Sequence, residues 1–107
     1  MVLSDFGFNV QLSGQELITP IQFSLLRNYP NPFNNSTTFQ FTIPSSGNVK
    51  INVYNLLGQV VAIPLNEIRG PGLNTAYFGG NALASGMYIY GIKWEDRTAQ
   101  SKFLLVK

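Results

Sequence analysis

"STTFQFTIPSSGNVKINVYN", residues 36 to 55, is the stretch that decides the fold. Its first half alternates strictly. Phe39, Phe41 and Ile43 fall on one side; Thr38, Gln40 and Thr42 fall on the other. A repeat of two belongs to a strand with one buried face, whereas a helix needs apolar residues three and four apart. Pro44 ends the run, and Ser45, Ser46, Gly47 and Asn48 are turn formers. Alternation resumes with Val49, Ile51 and Val53 inward, so residues 49 to 55 read as the return strand.

The same punctuation continues outward in both directions. Downstream, "LLGQ" (56 to 59) offers Gly58 for a turn. Residues 59 to 65 form the next strand, with Pro64 marking an edge or a break. "RGPG" (69 to 72) turns the chain into a strand at 73 to 78, and "GGNALASG" (79 to 86) is a loop. "MYIYGIKW" (87 to 94) is a long strand, "EDRT" turns it, and residues 99 to 107 are the last strand. Upstream, residues 21 to 26 make a short extended entry. "FGFNVQLSG" (6 to 14) alternates Phe6, Phe8, Val10 and Leu12, which suits one extra strand, of this sheet or of a preceding domain. The expected organisation is a leader or linker at 1 to 20 and one domain at 21 to 107. Seven strands, or eight with the leader, and no convincing helix predict an all-β fold. The expected architecture is an antiparallel β-sandwich of immunoglobulin or fibronectin type.

Composition agrees with such a fold and narrows the function. The 107-residue chain is 45% hydrophobic and 13% aromatic, but only 11% charged. An average soluble domain carries roughly 25% charged residues, so the surface must be polar and nearly neutral, as in secreted β-domains. The seven basic residues are scattered, which argues against tracking the phosphates of a nucleic acid. With no cysteine there is no disulfide and no thiolate metal site. No apolar run of about 18 residues predicts a membrane span. No signal peptide opens the chain at Met1, so we expect a piece of a longer protein.

The inventory for catalysis is thin. The chain lacks histidine, the commonest general base, and cysteine, the strongest common nucleophile. Of its acids only Glu95 and Asp96 are close in sequence, and they read as a hairpin turn. No enzyme activity and no cofactor are expected. Two binding readings are open. Asn28, Asn31, Asn34, Asn35 and Ser36 could offer oxygens to calcium, but without a nearby carboxylate the site would be weak. Tyr88, Tyr90 and Trp94 fall on one strand face and could stack sugar rings, against the plainer reading that they are core.

"NYPNPFN", residues 28 to 34, is the stiffest part of the chain. Pro30 and Pro32 fix two φ angles, and the asparagines can close local turns. Asn28, Tyr29, Pro30, Asn31, Pro32, Phe33 and Asn34 therefore read as a structural corner that feeds the strand at 36 to 44 into its sheet. Tyr29 and Phe33 are expected to plug the open end of the sandwich.

Three blocks together carry a resemblance: Asn28 to Asn34; Val53 to Gly58 with Gln59; and Ser85-Gly86 with Tyr88, followed by "SKFLLVK". In this order they resemble the type IX secretion C-terminal sorting domain, type A, over residues 23 to 107. That family is similar to the immunoglobulin-like domain of flagellar hook-capping proteins. Two departures stand out: Asn35 where the family often has proline, and Tyr77-Phe78-Gly79 where it often has Trp-Asp-Gly. The resemblance implies a non-catalytic address label on a larger N-terminal cargo. The cargo would pass through the periplasm and outer membrane to the cell surface or the medium. The implied partners are the outer-membrane type IX export machinery and a sortase-like peptidase. The implied recognition segment is Ser101, Lys102, Phe103, Leu104, Leu105, Val106 and Lys107. A carbohydrate-binding or adhesive module, or a passive spacer, is the alternative.

Overall fold

The computed structural model describes residues 21 to 107. The strand expected at 6 to 14 lies outside the described residues. Among the described residues seven strands follow one another: β1 (Ser24–Tyr29), β2 (Ser36–Ile43), β3 (Gly47–Tyr54), β4 (Val60–Arg69), β5 (Gly72–Gly79), β6 (Gly86–Trp94) and β7 (Arg97–Leu105). They form two antiparallel sheets, ordered β1-β2-β5 and β4-β3-β6-β7. Among the described residues no helix is long and apolar enough to cross a membrane.

The opening stretch is two strands, as its alternation requires, but they are not a hairpin. β2 pairs with β1 and β5, while β3 pairs with β4 and β6. The turn after Ile43 carries the chain from one sheet to the other. Burial explains this outcome. The apolar faces of β2 (Phe39, Phe41, Ile43) and β3 (Val49, Ile51, Val53) are all 0% exposed. Side by side in one sheet they would share a face and still need a cover. In opposite sheets they cover each other across the sandwich.

Three further differences refine the expected strands. β4 runs on to Arg69 instead of stopping at 65. Pro64 sits in a bulge, where Ile63 and Pro64 of this edge strand lie between the pairs Ile51–Leu65 and Val53–Ala62. A bulge on an edge strand tolerates a residue with no N–H. β7 ends at Leu105 instead of 107, because its partner β6 begins opposite it at Gly86 and the Lys107 N–H, next in line to face β6, goes to the Ser85 side-chain Oγ at 2.9 Å. The β6–β7 hairpin turns through Glu95 and Asp96 alone, with Glu95 at φ 56°.

Packing is mostly aromatic at one end. Phe39 lies 4.6 Å from Tyr90, Phe33 5.0 Å from Phe103, and Tyr88 5.5 Å from Phe103, centroid to centroid. The other end is closed by Trp94, which stacks on Phe23 at 6.1 Å and donates from Nε1 to the Ser45 carbonyl at 3.2 Å. Tyr88, Tyr90 and Trp94 thus face the core, at 8, 1 and 9% exposure. They form no open aromatic face. The inward alternation of β6 against β3 and β7 puts them there.

Candidate functional site: the corner on the C-terminal strand

β7 is an edge strand, paired on one side with β6 from Trp94–Arg97 to Gly86–Leu105. Its Phe103 and Leu105 point inward and are 1 and 0% exposed, whereas Ser101, Lys102, Val106 and Lys107 are exposed and Leu104 is half-buried. In an antiparallel edge strand every second residue turns its N–H and C=O away from the sheet. On β7 these include Lys102 and Leu104.

The corner occupies those outward groups. It is the loop of the β1–β2 hairpin, and both of its X–Pro bonds, Tyr29–Pro30 and Asn31–Pro32, are cis. Asn31 Nδ2 donates to the Lys102 carbonyl at 3.3 Å, and Leu104 N–H donates to Asn31 Oδ1 at 3.1 Å. Two residues on, Phe33 N–H donates to the Leu104 carbonyl at 3.0 Å, and Val106 N–H donates to the Phe33 carbonyl. Phe33 and Leu105 thereby make a parallel bridge. One side-chain amide and one backbone unit replace a paired strand along residues 102 to 106.

A buried polar chain fixes the corner from beneath. Tyr90 OH donates to Asn28 Oδ1 at 3.1 Å, and Asn31 Nδ2 reaches the same oxygen at 3.4 Å. Asn28 Nδ2 donates to Thr37 Oγ1 at 3.2 Å, and Thr37 Oγ1 donates to the Pro30 carbonyl at 2.8 Å. Buried groups of this kind are costly unless paired, so the chain specifies one corner geometry. Burial raises the Tyr90 phenol above its ordinary pKa, and the Ser101 hydroxyl partly offsets the rise. At Asn28 and Asn31 the side-chain oxygens that could serve calcium accept from protein donors instead.

The residues expected to act as plugs divide. Phe33 is 3% exposed and packs on Phe78 and Phe103. Tyr29 is 63% exposed, with the Arg27 guanidinium 5.1 Å over its ring. Phe33 goes in because its backbone bridges β7; Tyr29 ends β1 on the opposite face from buried Asn28. Asn34 is exposed. Thr37 and Gly80 complete the site. Thr37 has the same parity as Phe39, Phe41 and Ile43, so its burial was legible in the sequence. Gly80, whose N–H donates to the Asn35 carbonyl at 2.9 Å, sits against Phe33 and Leu105 and left no such signal.

An all-β sandwich of this topology, with its terminal edge strand covered by its own first hairpin loop, is of the immunoglobulin-like class. The family model described as "Secretion system C-terminal sorting domain" matches residues 27 to 107, and the chain belongs to this family of type IX sorting domains. No curated protein and no solved structure matches it. Membership indicates a general sorting role, with export to the cell surface or the medium; the family is one of sorting signals, not of catalysts.

Proposed function

We propose that residues 21 to 107 are the address label of a larger secreted protein joined at the N-terminal side. The outer-membrane type IX machinery reads the segment Ser101 to Lys107, and a sortase-like peptidase then separates label from cargo. The observation that carries the reading is the family match over residues 27 to 107. The corner supports the choice of segment: a recognition strand needs one fixed presentation, and Asn31 and Phe33 hold residues 102 to 106 in one register. With Phe103 and Leu105 committed to the core, the readable side chains are Ser101, Lys102, Leu104, Val106 and Lys107.

Deleting residues 101 to 107 would be a poor test, because it removes Phe103 and Leu105 from the core. The better test fuses the full 107-residue chain to a reporter with an N-terminal signal peptide. The fusion is expressed in a type IX-competent host and in the same host without the outer-membrane pore. Export in the first and periplasmic retention in the second are expected. Equal export from both hosts would refute the sorting role.

A further inference from the structure

The outer face of the four-stranded sheet divides into two halves. Around Lys50, Lys93 and Asn48 it is polar. Toward the β3–β4 turn a mostly apolar row crosses it, with Lys102 and Gln100 as its polar members on β7. The register aligns Val60 of β4 with Tyr54 of β3, Tyr54 with Ile89 of β6, and Ile89 with Lys102 of β7. One step further, Met87 pairs with Leu104. Leu56 rises from the turn beside Tyr54 and Ile89, lining the same depression. Leu56 and Val60 are 69 and 51% exposed, and Leu57 at the turn tip is 85% exposed.

Several large apolar side chains on one contiguous, solvent-facing surface mark a contact site more often than chance exposure does. The β3–β4 turn needs none of them. Asn55 builds it, its Oδ1 accepting the N–H groups of Leu57 and Gln59 at 2.9 and 3.0 Å. Polar residues at 56 and 57 would serve that turn equally well.

Charge selects the occupant. Lys102 lies in the apolar row, and no acid lies near it. Among the described residues the acids are Glu67, paired with Arg69 at 2.8 Å, and Glu95 and Asp96 at the opposite end of β6 and β7. In a second copy packed patch to patch no carboxylate would meet either Lys102, because the patch carries none. An anionic membrane attracts a surface lysine by only about 1 kcal/mol, too little to anchor a domain. A protein surface with an apolar centre and a carboxylate at its edge satisfies both features.

We infer that the patch formed by Leu56, Val60, Tyr54, Ile89, Met87 and Leu104, with Lys102 in its row, is a docking surface for an acid-bearing protein component of the export machinery. The inference rests on the sorting role proposed above. It adds to the C-terminal segment a second contact region, remote in sequence, brought alongside Leu104 by β6.

The test uses the full chain fused to the reporter. The Leu56→Ser/Leu57→Ser double variant and Lys102→Glu are expected to lower export at least fivefold without changing thermal unfolding of the purified chain. Lys102→Arg should keep it. A photo-crosslinking residue at position 56 should trap an outer-membrane type IX component, and one at Leu73, exposed on β5 of the other sheet, should not. Unchanged export by the Leu56→Ser/Leu57→Ser variant, whatever Lys102→Glu does, or a cross-link at 56 only to a second copy or to lipid, overturns the inference while leaving the sorting role intact. If the unmodified chain directs no export, the sorting role fails and the inference falls with it.

Discussion

Asn31 and Leu104 are paired as if Asn31 were a strand residue. The Leu104 N–H donates to Asn31 Oδ1 at 3.1 Å, while Asn31 Nδ2 takes the next outward carbonyl, that of Lys102, at 3.3 Å. A side-chain amide has a backbone's donor and acceptor, so it can cap an edge without adding a strand. Asn31→Ala should therefore free one end of β7 specifically. Net loss is about 0.5–1.5 kcal/mol per such bond, and the sharper readout is local. Hydrogen exchange at the Leu104 amide should speed markedly, while the Phe103 amide, which faces β6, keeps its protection. Equal acceleration at both would mean that Asn31 stabilises the whole domain and does not act as an edge cap.

Tyr90 and Asn28 give a pH-dependent prediction. The folded state holds the phenol above its unfolded value, chiefly through burial. For an acid whose folded pKa is raised, the contribution is complete below the unfolded pKa, about 10 for tyrosine. It is lost as pH rises from there through the folded value. Stability should thus fall above about pH 10, by at most about 1.4 kcal/mol per pH unit from this group. Tyr90→Phe should cost about 1–3 kcal/mol at pH 8, since Asn28 Oδ1 keeps only the Asn31 amide at 3.4 Å. The variant should also lose part of the alkaline decline. Urea unfolding of both proteins from pH 8 to 11 measures this; parallel curves would exclude Tyr90 as a cause.

Two glycines should respond in opposite directions to alanine. A Cβ on Gly80 would lie 3.0 Å from Phe33 Cε2 and 3.3 Å from Leu105 Cδ2, both in the core where the corner meets β7. Overpacking of this kind costs typically about 1–3 kcal/mol. A Cβ on Gly91 would meet Gln100 Cγ and Tyr54 Cε2 at an ordinary 3.7 Å, with no left-handed φ. There alanine should stabilise by about 0.4–1 kcal/mol, through the entropy of the unfolded chain. Thermal unfolding should separate the two variants by several degrees. Equal melting temperatures would contradict the packing described around Gly80.

The contrast between these elements shows what was legible in the sequence. Strand identity and inward faces followed from parity alone, because Phe39, Phe41, Ile43, Val49, Ile51 and Val53 each repeat at two. Which sheet a strand joins did not follow. Both a hairpin and a crossover satisfy the same alternation, and the choice between them is made by long-range burial. The corner's stiffness was written in Pro30 and Pro32. Its attachment was not, since Asn31 and Lys102 meet only after β1, β2, β6 and β7 have assembled. Tyr88, Tyr90 and Trp94 had one parity and two readings, core or exposed stack, and only the opposing sheet decides between those.

Glu95 marks a turn whose residue and conformation disagree. Its φ of 56° lies in the left-handed region, where a side chain costs about 1–2 kcal/mol relative to the right-handed form and asparagine is tolerated better. The two-residue connection between Trp94 and Arg97 imposes it. Glu95→Asn should raise stability by up to about 1 kcal/mol. Gly47 limits what else can change here, because a Cβ there would stand 2.6 Å from Glu95 Oε2 and 2.8 Å from Trp94 Nε1. The carboxylate is mobile enough to move away, but the indole is held by Phe23 and the Ser45 carbonyl. Gly47→Ala should therefore destabilise the wild-type chain, and combining it with Glu95→Asn should not remove the penalty. Urea midpoints of the two single variants and the double variant decide the matter. If Glu95→Asn rescues Gly47→Ala fully, the obstruction is the carboxylate and not the indole, and the closed packing assigned to that end of the sandwich is mistaken.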